Sequence, residues 1–402
     1  MFNNSSDLWT LTEKSVPEFD RLISCYKWHL QNNVSIAQAD EACSMHKDLV
    51  SLGTEIDIVF WLMGLLIIIS NAPVLLGIIG TRELHRPIYI YLANLAVTDV
   101  FAGIGLLYRI VGHVGLNVKA FKLIMTYVNL IIFSQMTSAS ALSLMSVNAY
   151  VAVMHPEFFH IHADSAKLCA GVALTVSWIV CALLAFSPIM GWNCLHMQTL
   201  TTGICISWYP LSFIITCASI LLLLCIILMF TNISVYLAIR EREKRRLVQV
   251  AARDPQAPGE NGPGQNNAAQ EEAQKKYEER VYKARTVMVH VVVAFICWLL
   301  PLLFFAVCKI LPDVCPRNGV LAGICLNSLI NPMATLIRMS DLRNTIWQKL
   351  TGIHQTLVTV IRGNRADPQE DQAGTGEFLT LQEGPAHGEG RNTPRLAPDE
   401  QS

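Results

Sequence analysis

The chain has 402 residues, of which 52% are hydrophobic and only 15% charged, and its formal net charge is -1. A soluble domain carries about 25% charged residues, so this composition excludes an ordinary water-soluble globule. Nothing in the chain points to a nucleic-acid partner.

Residues 1–55 precede the first long apolar block and carry Asn-x-Ser patterns at Asn3, Asn4 and Asn33, the glycosylation signature of an extracellular segment. The first 50 residues hold no apolar h-region, so the first span is expected to act as the targeting signal. Seven apolar blocks follow, at about 56–80, 87–112, 121–152, 166–190, 208–238, 285–308 and 318–338. A helix crosses a bilayer in roughly 20 residues. A buried core helix could explain one block but not seven. The fold class expected is therefore all-α, a seven-transmembrane helix bundle over residues 56–338. The connection between the fifth and sixth blocks (239–284) is flanked by "REREKRR" (Arg240–Arg246) and "KKYEERVYKAR" (Lys275–Arg285), and "TRELHRP" (Thr81–Pro87) is also basic. Lys and Arg mark the cytoplasmic side, which places the N-terminus outside and the C-terminus inside. Residues 252–274 are rich in Pro, Gly, Asn and Gln, the composition of a flexible linker in a cytoplasmic third loop. Over 339–354, Leu342, Ile346, Leu350 and Ile353 draw one apolar stripe, suited to a helix lying on the membrane surface. Residues 355–402 read as a disordered cytoplasmic tail.

Polar residues inside apolar blocks stand out. Asp99, in "LANLAVTDVFAG", is the formal charge deepest in any block, and such a charge needs partners facing the bundle interior. Candidates are Asn71, Ser138, Asn327, Ser328 and Asn331, the last three in "LNSLINP". One carboxylate with several neutral oxygens suits a structural sodium ion; a polar knot joining helices is the alternative. Pro301 and Pro332 should bend the sixth and seventh spans. Of the twelve cysteines, Cys25, Cys43, Cys194, Cys205, Cys308 and Cys315 fall on the expected outer face, where disulfides persist. The local pairs Cys194–Cys205 and Cys308–Cys315 would each close a short loop; a partner for Cys25 or Cys43 is left open. No nucleophile–base or metal-ligand spacing suggests an enzyme.

Asn71, "LANLAVTD", Trp178, "FICWLLP" and a seventh-span "NP", over about residues 56–354, make the chain resemble a rhodopsin-like G-protein-coupled receptor. "HRPIYIYLANLAVTDVFAG" and "SPIMGWNC" are most similar to the lysophospholipid (sphingosine 1-phosphate and lysophosphatidic acid) receptors, a subgroup akin to cannabinoid and melanocortin receptors. That subgroup lacks the usual cysteine at the outer end of the third span, as does this chain, and the resemblance implies the two local disulfides.

Against this family the departures are informative. Members usually carry Asp/Glu-Arg-Tyr where this chain has Asn148-Ala149-Tyr150. The NPxxY register gives Asn331-Pro332-Met333-Ala334-Thr335, and Phe230 aligns with a tyrosine low in the fifth span. Trp298 stands one residue further from Pro301 than in CWxP, a rotation of roughly 100° about the helix. The arginine of the lysophospholipid headgroup grip is also missing, because counting back from Ala149 reaches Tyr127 and Val128. Arg109, Lys119 and Lys122 lie nearby as alternative anion contacts or as plain interfacial charges. Met136, Trp298, Leu299 and Phe305 would line an apolar pocket. The resemblance thus implies a cell-surface receptor for a lipid or other apolar ligand, with reduced or unconventional coupling to a heterotrimeric G protein or arrestin. The alternative is a receptor-shaped, non-signalling protein that scavenges ligand or pairs with another receptor as a dimer.

Overall fold

The structure is a computed structural model, described here for residues 17–19, 21–44, 54–84, 86–109, 119–162, 165–200, 205–251, 265–310 and 319–363. Two short helices, α1 (Leu22–Gln31) and α2 (Ile36–Ser44), precede the bundle. Long helices follow: α3 (Thr54–Ile79), α4 (Pro87–Tyr108) and α5 (Ala120–Met154), then the short α6 (Pro156–Ile161), α7 (Ala166–Phe186), α8 (Leu211–Ala251), α9 (Gln265–Ile310) and α10 (Gly319–Arg338). α11 (Ser340–Gly363) closes the described chain; from Thr351 on it belongs to a separate unit. A small hairpin pairs β1 (Cys205–Ile206) antiparallel with β2 (Tyr209–Pro210). The molecule is a seven-helix, all-α bundle. Among the described residues, six helices are long and apolar enough to cross a membrane; α10, with Pro332 inside it, supplies the seventh.

α5 is the central helix. Of its apolar stretch 67% is buried, against 11% for α8, which presents most of its surface outward. α3 and α4 approach closely because glycines meet at their crossing. A Cβ built on Gly103 would lie 2.9 Å from the Gly64 carbonyl oxygen, and one on Gly64 would lie 3.0 Å from that of Gly103. Backbone atoms cannot step aside, so only small residues allow this approach, as is usual between helices in lipid.

One region was left open by the sequence, and two differ from what it led one to expect. The segment before the bundle forms a disulfide-closed helical cap. The third loop is largely helical: α8 runs to Ala251 and α9 begins at Gln265, leaving only 252–264 outside the described residues. Ala, Glu, Gln, Lys and Arg are strong helix formers, and Glu241–Arg245 and Glu279–Lys283 are supporting pairs four residues apart. α11 runs on to Gly363, past the expected end at 354.

Candidate functional site

Midway along the bundle, Asp99 of α4 is fully buried. Asn331 Nδ2 of α10 donates to its Oδ2 at 3.1 Å. Pro332 has no N–H, so the Ser328 carbonyl four residues back loses its helical partner. Asn71 of α3 fills that position, donating to the Ser328 oxygen at 3.0 Å and to Ile67 O at 2.9 Å. The kink in α10 is thus repaired by α3. Asp99 Oδ1, Ser134 Oγ, Ser138 Oγ, Asn331 Oδ1 and both amide atoms of Asn327 are buried and find no hydrogen-bond partner among the described residues. The Ser328 hydroxyl accepts a bond from Gln135 Nε2 at 3.4 Å, and Trp298 Nε1 donates to Gln135 Oε1 at 3.3 Å. Gln135 therefore links α9, α5 and α10. As a neutral amide among serines and threonines, it was not singled out from the sequence.

At the α11 end of the bundle, Asn148 and Ala149 line a cavity of about 310 Å³ with Met145, Ala152 and Val287. Of the charged groups that line it, Arg86, Glu279 and Lys283 form one cluster. Arg86 Nη1 bonds Glu279 Oε1 at 2.6 Å, and Lys283 Nζ reaches the same oxygen at 2.5 Å. Thr335 sits in the bundle interior rather than at its surface. The buried His290 of α9 places Nδ1 2.9 Å from the Thr286 carbonyl and Nε2 2.9 Å from Thr335 Oγ1. A carbonyl only accepts, so Nδ1 carries a proton; in a neutral ring Nε2 is then one of two acceptors within reach of the single Thr335 hydroxyl hydrogen. The hydroxyl has Asn331 O as its other acceptor, also at 2.9 Å. Phe230 is 62% exposed and its ring touches Tyr150 at a centroid distance of 6.0 Å. Two residues on, Asn232 also reaches from α8 to α5, donating to Ser146 Oγ at 3.0 Å.

At the opposite, cap end, Arg109 is buried. Its Nε bonds Asp57 Oδ1 of α3 at 2.8 Å, its Nη1 donates to the Tyr127 hydroxyl at 3.2 Å, and its guanidinium lies over the Phe60 and Tyr127 rings. Asp57 is thus, with Asp99, a buried acid of the apolar blocks; it lies at the edge of its block, where the sequence alone does not single it out. Val128 is partly buried against the same cluster, and Lys122 is exposed. Nearby, Tyr209 donates to the buried Asn129 at 2.8 Å.

The cap closes this end. Disulfides Cys25–Cys43 and Cys194–Cys205 hold α1 to α2 and the segment before β1 to the hairpin. Tyr26 donates to Asp40, and Lys119, leading into α5, pairs with Asp40 at 3.1 Å. Burial first, and the neighbouring Asp40 second, push the Tyr26 phenol up, so it stays a donor. Tyr26 and Phe121 both meet the Trp208 ring edge-on, at 5.2 and 5.1 Å between centroids. Asn33, exposed with φ 60° in a turn of the cap, adopts the left-handed conformation that asparagine tolerates. Asn3, Asn4, the side chain of Phe305 and the pair Cys308–Cys315 lie outside the described residues.

Comparison with known proteins places this geometry in a family. The sequence profile described as 7 transmembrane receptor (rhodopsin family) matches residues 70–334. Cannabinoid receptor 1 of Xenopus laevis is 25% identical over 297 residues, covering 70% of this chain and 60% of that receptor. Sphingosine 1-phosphate receptor 1 of Danio rerio is 26% identical over 215 residues, 52% of this chain and 56% of the receptor. G-protein coupled receptor 12 of Rattus norvegicus is 27% identical over 175 residues, 44% of this chain and 51% of the receptor. The chain spans about half the length of the curated relatives it matches. With seven helices around a buried Asp99–Asn331 contact and a profile match over most of the bundle, this multi-pass membrane protein belongs to the rhodopsin family of seven-transmembrane receptors and is related to the lysophospholipid receptors.

Proposed function

We propose that this cell-surface receptor takes a lipid or other apolar ligand beneath its cap and couples to G protein weakly or by an unconventional route. The observation that carries the reading is the cavity beside Asn148 and Ala149. Where relatives have an arginine, a methyl group lines about 310 Å³ of space, and the nearby α9 acid, Glu279, is taken by Arg86 and Lys283 instead. A switch moves only when contacts differ between its two states; here the arginine contacts are absent, and His290–Thr335 stands in for the tyrosine of the seventh span. The basic α11 end is assigned to the cytoplasm of the plasma membrane and the cap to the outside. Arg109, neutralised by Asp57, favours an apolar ligand over one held by its phosphate. The unpartnered oxygens around Asp99 fit a sodium ion, held by Asp99, Ser138 and Asn331; when bound, the ion would offset the buried carboxylate charge.

The test is G-protein activation in cells, at matched surface expression, for the native chain and for Asn148→Asp/Ala149→Arg. Low basal and ligand-evoked activity in the native chain, rising at least several-fold in the double variant, is expected. Ordinary signalling by the native chain would refute the coupling proposal. Silence from both leaves the non-signalling reading, in which ligand uptake or pairing with another receptor is the activity to measure.

A further inference from the structure

A second recess at the α11 end shares no lining residue with the first. It is a groove of about 730 Å³ between α8 and α9 that reaches the last turn of α10. Its floor is apolar: Ile239, Met288, Val289, Val292 and Val293 line it, and Val292 is 57% exposed on the side where α9 faces away from the bundle. Its rim holds three arginines, one from each helix, Arg240, Arg285 and Arg338, against a single acid, Glu243. Arg285 pairs with Glu243. Neither Arg240 nor Arg338 makes an ion pair among the described residues. Arg338 stacks on the Tyr282 ring at 5.1 Å, and its Nε finds no hydrogen-bond partner among the described residues.

We infer that this groove is a binding site for one acidic glycerophospholipid, whose phosphate head sits among the three arginines while an acyl chain runs along the valine floor. A guanidinium presents a planar fork of donors that suits phosphate oxygens, and three of them with one acid leave the rim net positive. The occupant is a lipid rather than a soluble anion because the apolar floor belongs to the span-length stretches of α8 and α9, Leu211–Arg245 and Tyr277–Trp298. An acyl chain would lie along such a floor, with the charges at its end meeting the headgroup. Arg240, Arg285 and Arg338 come from the three helices that end or begin the bundle at this point, so an occupied groove would tie α8, α9 and α10 together. The site is separate from the Asn148–Ala149 cavity and does not depend on how the receptor couples.

The experiment uses the full chain in phosphatidylcholine nanodiscs doped with phosphatidylserine or a phosphatidylinositol phosphate, with retained lipid read by native mass spectrometry after mild detergent exchange. Acidic lipid should be retained in preference to phosphatidylcholine. With about 1 kcal/mol per charge near the membrane surface, Arg240→Gln and Arg338→Gln should each weaken retention roughly fivefold, and the pair more. Glu243→Gln should strengthen retention, because it removes the one anion and releases Arg285; a merely structural role for these residues gives no such gain. Lys244→Gln, outside the groove, should change little. The melting temperature of each variant, taken in parallel, separates loss of the site from loss of the fold. Equal retention by the Arg240→Gln/Arg338→Gln variant would overturn the inference. So would a water-soluble inositol phosphate that binds as tightly as its lipid, since the apolar floor would then contribute nothing.

Discussion

At the residue scale, the buried charges were legible to unequal degrees. Asp99 stands out in the sequence because a carboxylate in mid-span must find partners, and Asn331 is one. Asp57 and Arg109 lie near block ends, where a charge ordinarily reaches water, yet both are buried against each other. Removing one partner of a buried pair strands the other. Asp57→Ala should therefore destabilise the protein by about 3 kcal/mol, seen as a lowered melting temperature in detergent. Asp57→Ala/Arg109→Met should recover most of the loss, since neither charge is then left alone. An Asp57→Ala protein that melts like the native one would show that the pair contributes little. Thr335 makes a similar point. As a break in a motif it reads as a loss; in the fold it meets His290, whose isolation in the sequence hid the contact.

At the element scale, each apolar block falls on one long helix of the bundle, because length and hydropathy alone dictate which segments can cross a bilayer. Their ends were less legible. Charged, alanine-rich flanks continue the helices of α8 and α9 instead of becoming loop, because local propensity and i,i+4 pairs favour it once a span has nucleated the helix. Beyond the Asp99–Asn331 contact, the packing of helix against helix was less legible still. Gly64 and Gly103 are unremarked glycines in apolar runs until α3 and α4 are laid together. Gly103→Val should force the helices apart, since its Cβ would meet the Gly64 carbonyl oxygen at 2.9 Å and Ile68 Cγ1 at 2.8 Å. Overpacking of this kind costs about 1–3 kcal/mol. Lower thermal stability and faster hydrogen exchange in α3 and α4 are expected, with α1 and α2 unchanged, and full native stability would argue that the contact is slack.

At the scale of the whole molecule, orientation is the property that charge asymmetry assigns most directly. If the cap lies outside the cell, Asn33, exposed in its turn, is open to glycosylation. Protein expressed in a glycosylating cell should lose mass on treatment with N-glycosidase, and Asn33→Gln should remove one glycan's share of that shift. The same band for Asn33→Gln and the native chain would leave Asn3 and Asn4 as the only acceptors. A protein that never shifts would undo the proposed topology.

The sequence by itself determined that this is a seven-helix membrane protein, which segments form its spans, and that Asp99 and the Asn148-Ala149-Tyr150 stretch deserve scrutiny. These follow from composition, block length and residue type, which are local or additive properties. Only the tertiary structure decided that Asn71 repairs the Pro332 kink, that Gln135 bridges three helices, that Arg109 is already neutralised, that Glu279 pairs with Arg86, and that three arginines ring one groove. Each of these joins residues from different helices, and helices in lipid choose their neighbours by packing and hydrogen bonding across their faces, relations that a linear pattern does not contain.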